Sequence, residues 1–248
     1  MLVLLPPSET KRDGGVDDSS LELGALSFAE LNPVRTRVLA AVRALSTSRR
    51  RALAALGLSD AQAFEVDRNR ALRTSPVMPA IERYTGVLFD AIDWQTVPDA
   101  ARGWAHDHAV IHSALFGLLR AGDPIPAYRL SHDSRLVVRE QSLKRTWANP
   151  VASALAATDE FVLDLRSEGY AGLGPAPKGS YFVRVVTEGS DGVRRALNHF
   201  NKKGKGEFVR ALMLAGLDHG SVESLLEWAA DAGCKLDHGA PGELDLVV

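Results

Sequence analysis

One cysteine in 248 residues, Cys234, leaves no partner for an intrachain disulfide and no thiolate set for zinc. No apolar run approaches the roughly 20 residues that a membrane helix needs. The opening Met1-Leu-Val-Leu-Leu stretch is too short for a signal core and follows no basic segment. A cytoplasmic chain with no membrane partner is therefore expected. Charge of one sign is also missing: 29 Lys and Arg stand against 31 Asp and Glu, for a net charge of −2. No global basic field exists to hold nucleic acid, so any such binding must come from local clusters. Repeats, low-complexity tracts and long linkers are absent, which predicts one domain over residues 1–248. With 46% apolar residues, a chain of this length buries roughly 70–75% of its unfolded surface and needs no staples.

Pattern then gives the elements. Leu2-Val-Leu-Leu5, stopped by Pro6-Pro7, reads as a buried strand, and the polar stretch 8–20 as a loop. From Val34, apolar residues recur at Val38, Ala41, Val42 and Leu45 in a helical stripe, with Arg35, Arg37 and Arg43 on the solvent side. Residues 53–58 form a helix closed by Gly57, and Ser59 or Asp60 is placed to cap the next. Residues 109–116 fit strand or helix, and 122–126 a proline-stiffened loop. Helices are predicted over 142–157 (strained by Pro150), 204–215 and 221–232, and strands over 161–165, 181–187 and 244–248. Without a regular βαβ alternation, the expected fold is mixed α/β (α+β). It has a central mixed sheet, surrounding helices and a mostly helical sub-region over 33–90.

The strongest local signal is His199-Phe-Asn-Lys-Lys-Gly-Lys-Gly206. Residues 194–210 carry six Lys or Arg against one acid, Glu207. They sit where a helix begins, so free N–H groups and the dipole already favour an anion. Gly204 and Gly206 are read as letting the backbone approach a ligand. The loop lacks Walker spacing, and the bland alternative is a solvated charged turn. A second basic set, Arg35, Arg37, Arg43 and Arg49 to Arg51, has no acid between its members. If both sets lined one cleft they would engage about five phosphates, weakening binding roughly 500-fold between about 50 and 200 mM salt. His106, His108 and His112 lack any carboxylate partner readable from sequence, so no metal is assigned. Cys234 reads as an inert, partly buried thiol. Ser8-Glu-Thr-Lys11 follows the first strand, where α/β folds place ligand contacts.

Several segments, in order, resemble the peroxide stress protein YaaA family. Met1-Leu-Val-Leu-Leu-Pro-Pro-Ser-Glu-Thr10 is similar to its opening strand and Ser-Pro-Ala-Lys-Thr turn, and Tyr84-Thr85-Gly86 to its Tyr-Thr-Gly motif. Ser113-Ala-Leu-Phe-Gly-Leu-Leu-Arg120, with Asp123, Pro126 and Tyr128-Arg129-Leu130, resembles Ser-Gly-Leu-Tyr-Gly-Val-Leu-Arg-Pro and a later Pro-Tyr-Arg-Leu. Trp147 fits a Phe-Trp pair. Asp164-Leu-Arg-Ser-Glu168 with Tyr170 resembles Asn-Leu-Ala-Ser-x-Glu-Tyr, and Lys202-Lys203 with Gly206 a Lys-Lys-x-x-Gly stretch. Departures exist. The first-turn lysine is Glu9, the Ala-Arg-Gly after the lysine pair is Gly204-Lys205-Gly206, and the proline after Arg120 is Ala121. The resemblance implies a family-specific mixed α/β fold and a role in surviving hydrogen peroxide by limiting free iron and DNA damage. It also implies a cationic cleft with a helix-hairpin-helix-like element for double-stranded DNA. Residues 53–59 would suit that hairpin.

Two readings follow. In the first, Lys202, Lys203, Lys205, Arg129 and Arg120, extended by Arg49 and Arg50, contact the phosphates of double-stranded DNA without reading sequence. In the second, Ser8, Thr10, Tyr84, Thr85, Tyr128, Arg129, Ser167, Tyr170 and Lys202 line a pocket for a nucleotide or other small phosphate-bearing ligand. No nucleophile–base pair is readable, so no reaction is assigned and whether the protein is an enzyme stays open. No cofactor is called for, and a monomer is favoured.

Overall fold

The computed structural model describes residues 1–189, 194–196 and 201–248. His199 and Phe200 of the basic segment lie outside the described residues. Strand β1 (Leu2–Leu5) is completely buried, as expected of a strand covered on both faces, and it sits at the centre of the main sheet. The chain then makes a long helical excursion: α1 (Asn32–Ser46), α2 (Arg49–Leu56), α3 (Phe64–Arg70), β2 (Met78–Pro79), α4 (Ala80–Arg83), α5 (Val87–Ile92) and α6 (Asp99–His108). It returns as β3 (Ala109–Ser113), which turns back through β4 (Gly117–Arg120). β5 (Pro124–Ile125) pairs with β2, and β6 (Val137–Val138) with β7 (Gln141–Ser142), in two-residue ladders. There follow α7 (Leu143–Ala156), β8 (Val162–Asp164), α8 (Glu168–Ala171), β9 (Tyr181–Glu188), β10 (Arg194–Ala196), α9 (Asn201–Ala215), α10 (Val222–Asp231), β11 (Leu236–His238) and β12 (Glu243–Val247).

The main sheet runs β11-β12-β9-β8-β1-β3-β4, with β10 also pairing β9. Strands β12, β9, β8, β1 and β3 are mutually parallel, while β11, β4 and β10 pair antiparallel. The sheet is thus mixed, as the sequence predicts, but its centre is wholly parallel. Absence of an obvious βαβ rhythm in the sequence concealed this, because about a hundred residues of helix and loop separate β1 from β3. One apolar cluster, from Met1 to Leu246, fills both faces.

Topology fixes a particular place on the sheet. From β1 the chain proceeds to β3 and β4 on one side, whereas β8 leads to β9 on the other. Strand order therefore reverses between β1 and β8. In parallel sheets the loops leaving the strands at such a point diverge, and a crevice opens outside their carboxyl ends.

Two local expectations are corrected. Arg35 is not on the solvent side but completely buried. Its guanidinium donates to the carbonyl oxygens of Phe116, Leu118 and Ser27 and to Asn32 Oδ1. Gly204 and Gly206 face protein rather than ligand. A Cβ on Gly206 would lie 2.3 Å from Leu88 O of α5, and one on Gly204 2.8 Å from a methyl of Val248. The glycines let α9 pack backbone-close on α5 and the sheet. Residues 53–59 do form the end of one helix and the start of another turn: Gly57 adopts φ +66°, and Ser59 with Gln62 makes a capping box.

Candidate functional site

Pro6 and Pro7, which end β1, and Leu165 to Ser167, which follow β8, form two walls of a cleft at the order reversal. The start of α9 supplies a third. One lobe of about 220 Å³ is lined by residues including Glu9, Ser131, His132, Ser167, Tyr170 and Lys202. The other, about 400 Å³, is lined by Arg166, Glu168, Phe182 and Arg184 among others. His132, Ser167, Asn201 and Lys205 belong to both lobes, so the two are continuous.

Lys205 forms the floor. It is only 4% exposed, and its Nζ donates to Leu165 O (3.0 Å) and Arg166 O (3.4 Å) and lies 5.2 Å from the centre of the Phe182 ring. No carboxylate pairs with it among the described residues. Desolvation lowers its pKa to about 8, an effect only partly offset by Asp164. A lysine in this position adds a cation that the protein itself does not neutralise. Lys202, exposed at the lip, likewise has no ion pair among the described residues.

Beneath the floor, Arg166 is fully buried and joined in bidentate fashion to Asp164 (Nε–Oδ1 2.8 Å, Nη2–Oδ2 2.6 Å). Its Nη1 donates to Gly174 O and to His112 Nδ1, both at 2.8 Å. A guanidinium only donates, so His112 Nδ1 accepts and the proton resides on Nε2. Burial, then the Arg166 charge, holds His112 well below the ordinary histidine range and keeps it neutral. Asp164 ends β8, and Arg166 lies in the bend just beyond it, its backbone N–H and its guanidinium both donating to the Asp164 carboxylate. Opposite charges at i and i+2 where a short apolar run ends are the signal by which sequence could have found this pair.

Ser167 caps α8, its Oγ accepting from Tyr170 N at 3.4 Å. The Tyr170 ring meets His132 edge-on at 5.0 Å, and a Cβ on Gly169 would lie 2.4 Å from the His132 ring. Nothing in the sequence pointed to His132 or Ser131. Arg129 lines neither lobe, and its Nη2 is taken in an ion pair by Glu9, which lines the first. Thus the acid standing where the resembling family has a lysine neutralises one of the expected cations.

The other predicted residues disperse. Thr10 Oγ1 lies within hydrogen-bonding distance of Ser8 Oγ (3.2 Å) and Thr85 Oγ1 (3.0 Å), a hydroxyl cluster on the loop after β1. Tyr84 and Thr85 line a separate groove with Arg12, Asp90 and Trp94. Tyr84, Tyr128 and Ser113 form a buried hydroxyl chain, with oxygen separations of 2.7 Å at each step. Lys11 lies against it, buried, with Nζ 4.1 Å from the Tyr128 ring centre and donating to Ser8 O and Glu9 O. Lys203 is exposed and pairs with Glu207 (3.5 Å). Arg120 ends β4 beside Val110, at the end of the sheet opposite the cleft. Arg49 and Arg50 line a shallow groove on α2 with Leu53 and Asp60, the acid being 3.9 Å from Arg49. The three histidines also part: His108 Nδ1 lies 2.8 Å from Met1 O, His106 packs edge-on to Trp94, and His112 is held by Arg166. No group of three potential metal ligands occurs among the described residues. Burial raises the Cys234 pKa. None of the helices among the described residues is long and apolar enough to cross a membrane.

The family described as peroxide stress protein YaaA matches residues 1–237. The chain belongs to that family. Similar proteins include an UPF0246 protein of Corynebacterium glutamicum strain R, 42% identical over 96% of this chain and 95% of its own length. Another, from Corynebacterium efficiens, is 41% identical over the whole of both chains, and one from Streptomyces coelicolor is 38% identical over 98% of this chain and 94% of its own. These names assign no ligand or reaction to the cleft, so the family's peroxide-stress character is what the comparison adds to the geometry.

Proposed function

We propose that the protein serves the peroxide-stress response in the cytosol by binding a small phosphate-bearing ligand, of nucleotide size or less, in the cleft between β1 and β8. The observation that carries this reading is the placement of Lys205. A desolvated cation without a carboxylate partner among the described residues forms the floor of a crevice at the point of strand-order reversal. Lys202 and Asn201 from the start of α9, and Ser167, the cap of α8, add polar groups around the same space.

Duplex DNA is the second reading, supported by the exposed Lys202 at the mouth and the exposed Lys203 next to it in sequence. It has less behind it. A duplex needs a track of several unpaired cations, yet Arg129 and Lys203 have acid partners and Arg49 and Arg50 line another groove. At the helical turn over 57–62, the N–H groups that would meet a phosphate are served by the capping box, and Asp60 places a negative charge there.

Titration calorimetry with pyrophosphate and with a short duplex at low salt tests the choice. Lys205→Met is expected to weaken pyrophosphate at least ten-fold, the loss of a charge-assisted contact of ~1.5–3 kcal/mol. Duplex binding without any pyrophosphate binding would overturn the cleft reading and favour DNA.

A further inference from the structure

We propose that Lys205 is an amine nucleophile that captures a carbonyl-bearing anion, an aldehyde or ketone carrying a phosphate or carboxylate, as an imine in the cleft. The inference rests on the cleft reading above and adds the ligand's reactive group.

Two features set this amine apart. First, its only protein partners among the described residues are two carbonyl oxygens, Leu165 O and Arg166 O. An uncharged amine has two N–H bonds, and these acceptors take both, leaving the nitrogen lone pair as its free valence. A carboxylate partner would instead hold the third proton in place; the nearest one in the floor, Asp164, is fully engaged by Arg166. Second, Lys205 lines both lobes of the cleft although it is nearly buried. The half-buried Phe182 ring stands on one side, 5.2 Å away. Desolvation is the usual way a lysine is activated for imine formation, and its direction here agrees.

Of the seven lysines, the other buried one fails the test. Lys11 also donates to two carbonyl oxygens but lines neither lobe, and the Tyr128 ring covers it. Lys144, Lys178, Lys202, Lys203 and Lys235 are exposed. The Ala-Arg-Gly stretch of the resembling family carries at this place an arginine, which stays protonated. Amine chemistry here would belong to this chain and relatives that share the lysine.

The step balances without oxidant or reductant. Neutral Nζ attacks the carbonyl carbon, forming a C–N bond as the C=O π pair moves to oxygen. One nitrogen proton is transferred to that oxygen to give the carbinolamine; the second nitrogen proton then follows, the C–O bond breaks as the nitrogen lone pair forms C=N, and the oxygen leaves as water. Tyr170, whose hydroxyl burial keeps protonated, and Ser167 line the same lobe and can carry a proton to the departing oxygen. Lys202 at the lip is placed for the anionic group.

The test uses the full chain and pyridoxal 5′-phosphate, an aldehyde phosphate, at substoichiometric amounts. Borohydride reduction fixes any imine, and peptide mass spectrometry locates it. Lys205 is expected to carry most of the label, at least ten-fold more than any exposed lysine, with labelling that rises with pH through the range about 7–9 and is suppressed by excess pyrophosphate. Lys205→Arg is expected to lose this label; should that variant misfold, the wild-type site map and pH profile decide alone. Label confined to Lys202, Lys203 or other exposed lysines, in a protein that binds pyrophosphate, would overturn the proposal while leaving the cleft reading intact. Absence of pyrophosphate binding would instead remove the cleft reading and this proposal together.

Discussion

Raising the pH from about 7 to about 9 is expected to stabilise this protein, and Lys11→Met is expected to remove most of that gain. Lys11 is buried under the loop after β1, and desolvation, only partly offset by Glu65, lowers its pKa from 10.5 to about 7. The sign follows from proton counting. Between about pH 7 and 10.5 the unfolded chain holds this proton and the folded one does not, so unfolding free energy rises with pH. At ~1.4 kcal/mol per pKa unit, deprotonation of Lys11 contributes ~2 kcal/mol between about pH 7 and 9. Lys205, lowered to about 8, adds ~1 kcal/mol in the same direction. Cys234 works the other way, since its raised pKa keeps the proton longer in the folded state, but it does so equally in both variants. Urea denaturation at several pH values, wild type against Lys11→Met, isolates the term. Equal pH slopes in the two proteins, or a wild-type stability that does not rise, would refute the burial of a lysine cation at this site.

Other outcomes follow from the same geometry. Arg166→Leu strands the Asp164 carboxylate in the core and is expected to cost ~3–5 kcal/mol by denaturant titration, part of which Asp164→Asn in the same chain should recover. Gly206→Ala forces a methyl to within 2.3 Å of Leu88 O and should destabilise by ~1–3 kcal/mol. Gly103→Ala, in α6 with open space around it, should stabilise by up to ~1 kcal/mol. Glu9→Gln releases Arg129 from its ion pair and is expected to tighten pyrophosphate binding ~5-fold by calorimetry; unchanged or weaker affinity would mean that Arg129 does not serve the cleft.

How much of this could be read from sequence depended on range. The apolar run of β1, the glycine stop at Gly57, the Ser59 cap and the helices over 143–156 and 222–231 all rest on neighbours within a few residues, and they were legible. Ser167, Tyr170, Lys202 and Lys205 all carry local site signals, and they line one cleft. From its neighbours alone, Lys205 reads as one phosphate contact among several in a basic run. Its burial depends on the carbonyl oxygens of Leu165 and Arg166, some forty residues away, which no local pattern reports. The same holds for Arg35, which fell off the apolar stripe of α1 yet reaches the carbonyl oxygens after β3. The parallel centre was hidden by the length of the excursion between β1 and β3. The strand-order reversal that makes the cleft was hidden with it. Grouping Ser8, Tyr84 and Tyr128 with Ser167 treated proximity to a motif as proximity in space, whereas the loop after β1 divides them between the cleft, a second groove and a buried hydroxyl chain.

The central claim is that the cleft between β1 and β8 receives an oxyanion, and crystals soaked in tungstate test it most directly. An anomalous peak within hydrogen-bonding reach of Lys205 Nζ, roughly 3–4 Å, is the predicted result. Peaks only beside Arg49 to Arg51 or Lys203, with the cleft unoccupied at the same tungstate concentration, would contradict it.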